Sequence, residues 1–153
     1  MNVDWQQYFL KPTFVIDADN RFDWTIRIVG NVEERIRTRS AESPKVETGG
    51  LLIGHTCLLS KTVYITDAPD PPSAARKTPT RFEIATDGLG DLFNHIHRQT
   101  QGQITFIGTW HSHTSATPPS GLDKQTLKTL QSNYDLPVVM LVHTGGTLER
   151  VLC

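Results

Sequence analysis

The apolar residues of this chain fall into short runs that are rich in β-branched side chains. The two longest runs, at 104–110 and 137–142, contain seven and six residues. Both are far shorter than the roughly 18 apolar residues that span a bilayer. Runs of four to eight apolar residues between polar segments are typical of strands buried in a sheet. The sequence therefore predicts a folded domain around a β-sheet, with no membrane-spanning segment.

Length and composition indicate one domain over residues 1–153. A chain of 153 residues can build a real core, and 37% hydrophobic with 20% charged residues is ordinary for a globular protein. The net charge of −1 gives no electrostatic footprint for nucleic acid or an anionic membrane. Residues 1–10 lack the basic start and apolar stretch of a secretion signal, and the two cysteines, Cys57 and Cys153, form no C-x-x-C pair. We expect a cytoplasmic protein.

Apolar periodicity predicts alternating helices and strands. Spacings of three and four residues predict helices over 22–36, over 87–98 with Asp87 as N-cap, and after the loop 114–120. Short β-rich runs predict strands at 51–53, 62–66, 104–110 and 138–142. This order indicates an α/β or α+β sandwich in which helices flank a central mixed β-sheet.

Two histidines follow the predicted strand 104–110 directly. Side chains two positions apart on a strand project from the same face, so His111 and His113 can present two imidazoles to one cation. His95 and His97 have the same spacing, but they fall within a predicted helix, where two positions correspond to roughly 200° of rotation. We therefore interpret His95 and His97 as surface residues of the helix rather than as metal ligands.

A carboxylate ten residues after the second histidine is a candidate third ligand. Two imidazoles and one carboxylate are a common donor set for catalytic zinc, because they leave a fourth position open for water. The segment from Ser120 to Asp123 also matches a helix capping box, which needs no metal. The two interpretations are compatible, because a helix beginning at Ser120 would hold Asp123 in its first turn.

Together with an upstream motif, these residues resemble a known family. Glu47 precedes the run Gly-Gly-Leu-Leu-Ile-Gly at 49–54, and the distant His-Ser-His and Ser-x-x-Asp follow. The combination is similar to the signature of JAMM (MPN-plus) metalloproteases and spans 47–123, about half of the chain. The resemblance implies a JAMM/MPN-like sandwich fold and a zinc-dependent isopeptidase.

The resemblance also implies a role for each motif residue. It makes His111, His113 and Asp123 the ligands of one Zn²⁺ ion per chain, which would lower the pKa of a bound water molecule towards roughly 7. It makes Glu47 the general base that later protonates the leaving amine, and it makes Ser120 a hydrogen-bond donor to the oxyanion.

One loop departs from the family pattern. Six residues separate His113 from Ser120 where the family usually has seven, and Thr114 occupies the position of the usual proline. Ser115 is the only other serine nearby, and no aspartate lies three residues after it. The shorter spacing affects the placement of Ser120 and Asp123.

The resemblance extends to a substrate class. JAMM enzymes cleave the bond after the C-terminal glycine of ubiquitin-like proteins. This short chain is similar to the bacterial subfamily that accompanies E1/E2-like conjugating enzymes in anti-phage operons of the CBASS type. That similarity implies a ubiquitin-like or conjugated protein as the partner, such as a nucleotidyltransferase (CD-NTase) attached by the E1/E2-like enzyme.

Three basic side chains are candidates for contacts with the substrate. Arg76, Lys77 and Arg81 lie in a loop where they can contact an extended tail, although such charges are also typical of a solvated surface.

Two other functional classes are alternatives to an isopeptidase. A metal-free MPN scaffold would be expected to have lost some motif residues, and none is lost. A RadC-like DNA-associated domain shares the metal motif, but the near-neutral charge provides no phosphate-binding surface.

Overall fold

A seven-stranded mixed β-sheet forms the centre of the computed structural model, which describes residues 12–17 and 24–152. Its strands are β1 (Pro12–Asp17), β2 (Thr25–Val29), β3 (Gly49–Cys57), β4 (Thr62–Asp67), β7 (Thr105–Ser112), β8 (Val139–Thr144) and β9 (Thr147–Leu152). A separate hairpin consists of β5 (Arg76–Thr78) and β6 (Arg81–Glu83). The described helices are α1 (Val32–Glu42), α2 (Leu89–Gln99) and α3 (Gly121–Gln131).

The strand order places β3 and β7 near the middle of the sheet. The order is β1-β2-β4-β3-β7-β8-β9, in which the pairs β2–β4 and β7–β8 are parallel and the other pairs are antiparallel. Strands and helices are mixed along the chain, so the fold is α+β with a mixed sheet, as the sequence predicts. None of the helices in residues 12–17 and 24–152 is long and apolar enough to cross a membrane.

Two apolar clusters hold α1 and α3 against the sheet. The larger one joins α1 to the sheet through fully buried side chains that include Val32, Ile36 and Trp110. The smaller one lies beneath α3 and consists of Leu127, Val138, Met140 and Val142, with Leu130 packed against it. Because Met140 and Val142 alternate with residues of the larger cluster along β8, the strand is buried on both faces and fixes the position of α3.

The predicted helix over 22–36 is wrong in its first part. Residues 25–29 form β2, and α1 begins only at Val32, after Gly30 with φ +45°. The apolar spacing of four predicted a helix because it continues across the junction. On the strand, however, Ile26 and Ile28 are two residues apart and are both buried in the larger core cluster.

Other element boundaries also differ from the predictions. The α2 N-cap is Gly88, with φ +79°, and not Asp87. Strand β3 continues past Gly54 to Cys57, and β9 was not predicted at all. The predicted strands at 62–66 and 138–142 and the helix after Ser120 are confirmed within a few residues. Residues 1–10 and Cys153 lie outside the described residues.

Gly54 is required by the close approach of β3 and β4. A Cβ atom at this position would lie 1.7 Å from the carbonyl oxygen of Tyr64. We therefore expect Gly54→Ala to lower the free energy of unfolding by about 3 kcal/mol, the upper end of the usual cost of overpacking. Gly90→Ala is the control, because a Cβ at Gly90 in α2 meets nothing within 4 Å. It should raise stability by about 0.5–1 kcal/mol. Equal denaturant midpoints for the two variants would contradict this account.

Candidate metal centre and active site

The pairing of β3 with β7 brings together two segments that are distant in sequence. Gly49 pairs with His111, and beyond this pair the Ser112 N–H donates to the Thr48 carbonyl at 2.7 Å. The Thr48 N–H in turn donates to Ser112 Oγ at 3.0 Å. Because the register continues past the strand ends, Glu47 lies beside the segment that contains His113.

The two histidines of the His-Ser-His motif face each other. The Nε2 atoms of His111 and His113 are 3.3 Å apart, and the rings have centroids 5.2 Å apart. Their alternation with the buried Ser112, which points to the other face, explains the geometry. The backbone N–H of His113 donates to the His143 carbonyl at 2.9 Å, which extends the β7–β8 pairing by one residue.

A backbone carbonyl determines the tautomer of His113. Its Nδ1 lies 2.8 Å from the Thr117 carbonyl oxygen and 3.1 Å from Thr117 Oγ1. A carbonyl only accepts hydrogen bonds, so His113 Nδ1 carries the proton and donates it. In the neutral ring, Nε2 then has a free lone pair directed at the site. Contacts of this kind typically orient histidine ligands of metals.

Asp123 is held in place by the N-terminus of α3. The Ser120 N–H donates to Asp123 Oδ2 at 2.6 Å, and the Asp123 N–H donates to Ser120 Oγ at 3.1 Å, so the predicted capping box is present. Asp123 Oδ1 lies 3.1 Å from His111 Nε2, and Oδ2 lies 3.3 Å from His113 Nε2. Although burial acts in the opposite direction, the hydrogen bonds from His111 and Ser120 hold the pKa of Asp123 well below its usual range.

The three side chains His111, His113 and Asp123 form a group that could hold a metal ion. One nitrogen or oxygen atom of each side chain lies within 4.8 Å of the others, and the carboxylate of Asp123, whose pKa is lowered, contributes only lone pairs there. One proton can bridge only one pair of these ligand atoms. A metal cation between them can accept lone pairs from all three side chains at once, and two imidazoles with a carboxylate are a typical donor set for such a cation.

Glu47 lies in the same groove but outside the group of three. It is 8% exposed, and its backbone N–H donates to the Thr78 carbonyl at 2.8 Å. Burial raises the pKa of the Glu47 carboxyl above its ordinary value, although the nearby imidazoles of His111 and His113 act in the opposite direction. A buried carboxyl with a raised pKa beside a candidate metal site is suited to proton transfer.

An open groove of about 700 Å³ surrounds these residues. One wall is residues 79–84, which include the β5–β6 turn and β6, and the opposite wall is α3 with Leu122 and Leu130. The ring of Phe82 lies against Gly49, where a Cβ atom would come within 2.7 Å of two ring carbons. Apolar side chains therefore line the groove on both walls, and polar side chains of residues 79–84 line it as well.

Both candidate serines line the groove, but their surroundings differ. Ser120 Oγ accepts the Asp123 N–H, so its hydroxyl hydrogen remains available to donate. The carbonyl of Ser115 accepts a hydrogen bond from Thr144 Oγ1 at 3.2 Å, and its hydroxyl lies 3.5 Å from Thr117 Oγ1. Only Ser120 is bonded directly to one of the three possible ligands.

The three basic residues singled out in the sequence all lie on the β5–β6 hairpin, but Arg81 alone among them lines the groove. Arg81 lines the groove, and its Nε donates to Glu83 Oε1 at 2.8 Å. Arg76 Nη1 lies 4.0 Å from the same carboxylate, and Lys77 lines another cavity behind Gly49. His95 and His97 are both exposed on α2 and belong to no possible metal group in the described part of the chain, as the helical spacing predicts.

Sequence reasoning missed the groups that support the site. The carbonyl of Thr117 positions His113, and the carbonyl of Thr78 accepts the Glu47 N–H. Both contacts use backbone oxygen atoms, which every residue has, so residue type gives no signal for them. Phe82 was also missed. The signal for it in the sequence is Gly49, because a glycine within a strand often marks a place where another group packs closely.

Comparisons with known proteins identify the family of this chain. The family model of prokaryotic homologs of the JAB domain matches residues 30–152. A protein of Enterobacter hormaechei subsp. hoffmannii (strain UCI 50), named CD-NTase/cGAS isopeptidase, is 29% identical over 126 residues, which cover 80% of this chain and 68% of the relative.

A solved structure shows the same fold. The solution structure of protein DSY2949 from Desulfitobacterium hafniense aligns with a TM-score of 0.51 and 17% identity, over 83% of this chain and 80% of that one. The family match includes all five motif residues, from Glu47 to Asp123. The chain belongs to the prokaryotic homologs of the JAB domain, which confirms the family resemblance of its sequence.

Proposed function

We propose that this protein is a zinc-dependent isopeptidase that hydrolyses the amide bond after the C-terminal residue of a ubiquitin-like tail or a conjugated protein. The observation that carries the proposal is the convergence of His111, His113 and Asp123 beside the buried carboxyl of Glu47. Ligand atoms about 2.0–2.1 Å from a tetrahedral zinc ion lie about 3.3–3.4 Å from one another. The Nε2 atoms of His111 and His113 are 3.3 Å apart, and they lie 3.1 Å and 3.3 Å from different oxygens of the Asp123 carboxylate, a spacing that supports zinc at this position.

Zinc would supply Lewis acidity, which lowers the pKa of water and polarises the scissile carbonyl. The chain's own residues supply the rest of the chemistry. Glu47 is proposed to take a proton from the attacking water and to return it to the leaving amine. The burial of its side chain in the groove, outside the proposed ligands, supports this role. Burial raises the pKa of Glu47, which supports its assignment to proton transfer.

Ser120 is proposed to stabilise the oxyanion of the tetrahedral intermediate. Its Oγ is oriented by the Asp123 N–H, so its own hydrogen can be donated to a developing negative charge in the groove. Ser115 lacks this orientation by the helix N-terminus.

We therefore expect Ser120→Ala to lower the cleavage rate by about 10²–10³, the usual effect of losing one oxyanion donor. Metal content should stay constant, because the bond from Ser120 to Asp123 Oδ2 uses the backbone N–H, which alanine retains. The measurement is the cleavage rate with metal analysis on the same sample, and Ser115→Ala is the matched control. A crippled Ser115→Ala beside a normal Ser120→Ala would mean that the serines are wrongly assigned across the shortened loop.

The proposed substrate is a nucleotidyltransferase conjugate of an anti-phage system. The name of the Enterobacter hormaechei relative supports this class, and the open groove of about 700 Å³ lined by 79–84 and α3 is proposed to hold the tail. Arg81 is proposed to contact that tail because it lies on the groove wall. Arg76 lies beside the same Glu83 carboxylate as Arg81 but does not line the groove, and Lys77 lines another cavity, so these two are proposed to contact the substrate further out.

The test is a fusion of such a nucleotidyltransferase tail to a second protein, incubated with the purified chain. We expect cleavage after the last residue of the tail, loss of cleavage with a chelator, and recovery when zinc is restored. A protein that contains stoichiometric zinc and leaves every conjugate intact would contradict the proposal and would favour a scaffold. Binding of DNA under the same conditions would favour the RadC-like alternative.

A further inference from the structure

The β5–β6 hairpin contacts both sides of the site through its turn. Thr78, the last residue of β5, and Pro79, which follows it in the turn, each offer a backbone carbonyl. The Thr78 carbonyl accepts the Glu47 N–H at 2.8 Å, and the Pro79 carbonyl accepts the hydroxyl of Thr114 at 2.8 Å. One turn therefore links the end of the chain segment that holds Glu47 to the loop that follows His113.

Thr114 is the residue at which this chain departs from the family pattern. A proline at position 114 would have no side-chain donor, so the bond to the Pro79 carbonyl depends on the threonine found here. The Thr114 side chain is exposed, and its hydroxyl contributes to none of the three possible metal ligands. His113 and Asp123 have separate supports, from the Thr117 carbonyl and the Ser120 N–H.

The turn also sets the position of a groove wall. Residues 79–84 form that wall, and the hairpin belongs to a two-stranded sheet separate from the seven-stranded one. Without ladder hydrogen bonds to the main sheet, the hairpin depends on a few anchors. The described ones include the two turn bonds and the contact of Phe82 with Gly49. Removing one anchor should loosen the wall while the main sheet stays intact.

We infer that Thr114 is a positioning residue, whose hydroxyl ties the β5–β6 turn to the loop after His113 and thereby fixes the groove wall against which the substrate tail lies. The inference rests on the proposed function for the identity of the substrate, but the tie itself is a property of the fold. Because the hydroxyl touches neither the ligands nor the reacting atoms, its loss should weaken substrate binding more than the chemical step.

The test compares Thr114→Val, which removes the hydroxyl at nearly constant volume, with Thr114→Ser, which keeps it. In Thr114→Val we expect amide hydrogen exchange in the peptides that contain residues 76–83 and Glu47 to become about fivefold faster, the factor of one ordinary hydrogen bond. We expect KM for the tail fusion to rise by about the same factor, while kcat changes by less than about twofold and zinc content stays constant. Thr114→Ser should restore both values.

Thr129→Val is the matched control, because it removes a hydroxyl that donates to the Gln125 carbonyl at 3.0 Å on the exposed side of α3. It should leave the hairpin exchange and KM unchanged. Unchanged hairpin exchange in Thr114→Val would overturn the tie, and faster exchange with an unchanged KM would overturn its effect on substrate. Loss of zinc in Thr114→Val would replace the inference with a structural role at the metal loop. A wild-type protein that cleaves no conjugate refutes the proposed function, whereas the exchange measurement still decides whether the tie exists.

Discussion

The Glu47→Gln variant is expected to bind zinc at the wild-type level and to cleave about 10²–10⁴ times more slowly, the usual effect of losing a general base. The upper part of this range is expected because the same carboxyl is proposed to protonate the leaving amine as well. Glutamine nearly preserves the size of the side chain, and the Glu47 N–H bond to the Thr78 carbonyl is a backbone contact that survives. The measurement is single-turnover cleavage of the tail fusion, with zinc determined on the same sample.

The control for this variant is Glu34→Gln, which removes a carboxylate from the exposed face of α1. It should cleave normally. Because Glu47→Gln keeps the proposed ligands, it should also retain the substrate and behave as a trap in a pull-down with the conjugate. Near-normal cleavage by Glu47→Gln would remove the proposed mechanism. Inactivity together with zinc loss would instead assign Glu47 to the support of the metal site.

The second large effect is expected from the histidine pair. A His111→Ala/His113→Ala double variant should lose stoichiometric zinc, because only one of three proposed ligand side chains remains. Cleavage should fall by about 10³ or more, since a catalytic metal contributes several kcal/mol to the transition state. The sequence contains its own control, because His95→Ala/His97→Ala alters the same spacing on the exposed surface of α2 and should change neither zinc nor rate.

Unfolding of the double variant must be measured alongside, because His111 is 8% exposed and its removal leaves a small cavity. Asp123→Asn provides an independent route to the same conclusion, since it weakens the third ligand at nearly constant shape. Stoichiometric zinc in the folded double variant would show that the metal binds elsewhere. Wild-type cleavage by that variant would exclude the site altogether.

The sequence predicted the grouping of His111, His113 and Asp123 more accurately than it predicted the boundaries of several helices and strands. Strand alternation at His111 and His113 and the capping box at Ser120 and Asp123 are local patterns, and both are present. The start of α1 was misplaced because a spacing of four residues continues across Gly30, and only packing against the core decides between a strand and a helix there. Strand β9 was missed because 147–152 alternates weakly between apolar and polar residues.

The contacts that orient the site could not be predicted from residue types. The backbone carbonyl of Thr117 accepts a hydrogen bond from His113 Nδ1. The groove wall is inferred to be held by the carbonyl of Pro79, which accepts the hydroxyl of Thr114, 35 residues away in the sequence. Such contacts depend on where loops meet in three dimensions. A sequence motif therefore identifies candidate side chains, whereas the fold determines the distances between them and the partners of their hydrogen bonds.

The capping box has a consequence for how the protein responds to its surroundings. The carboxylate of Asp123 is fixed by the Ser120 N–H, and the ring of His113 is fixed by the Thr117 carbonyl, so both are arranged by bonds within the chain. Zinc fingers, by contrast, unfold when the metal is removed. Under the proposed function, we therefore expect depletion of zinc to leave this chain folded but inactive. Activity in a cell would then follow the availability of the metal, while the protein avoids the degradation that follows unfolding.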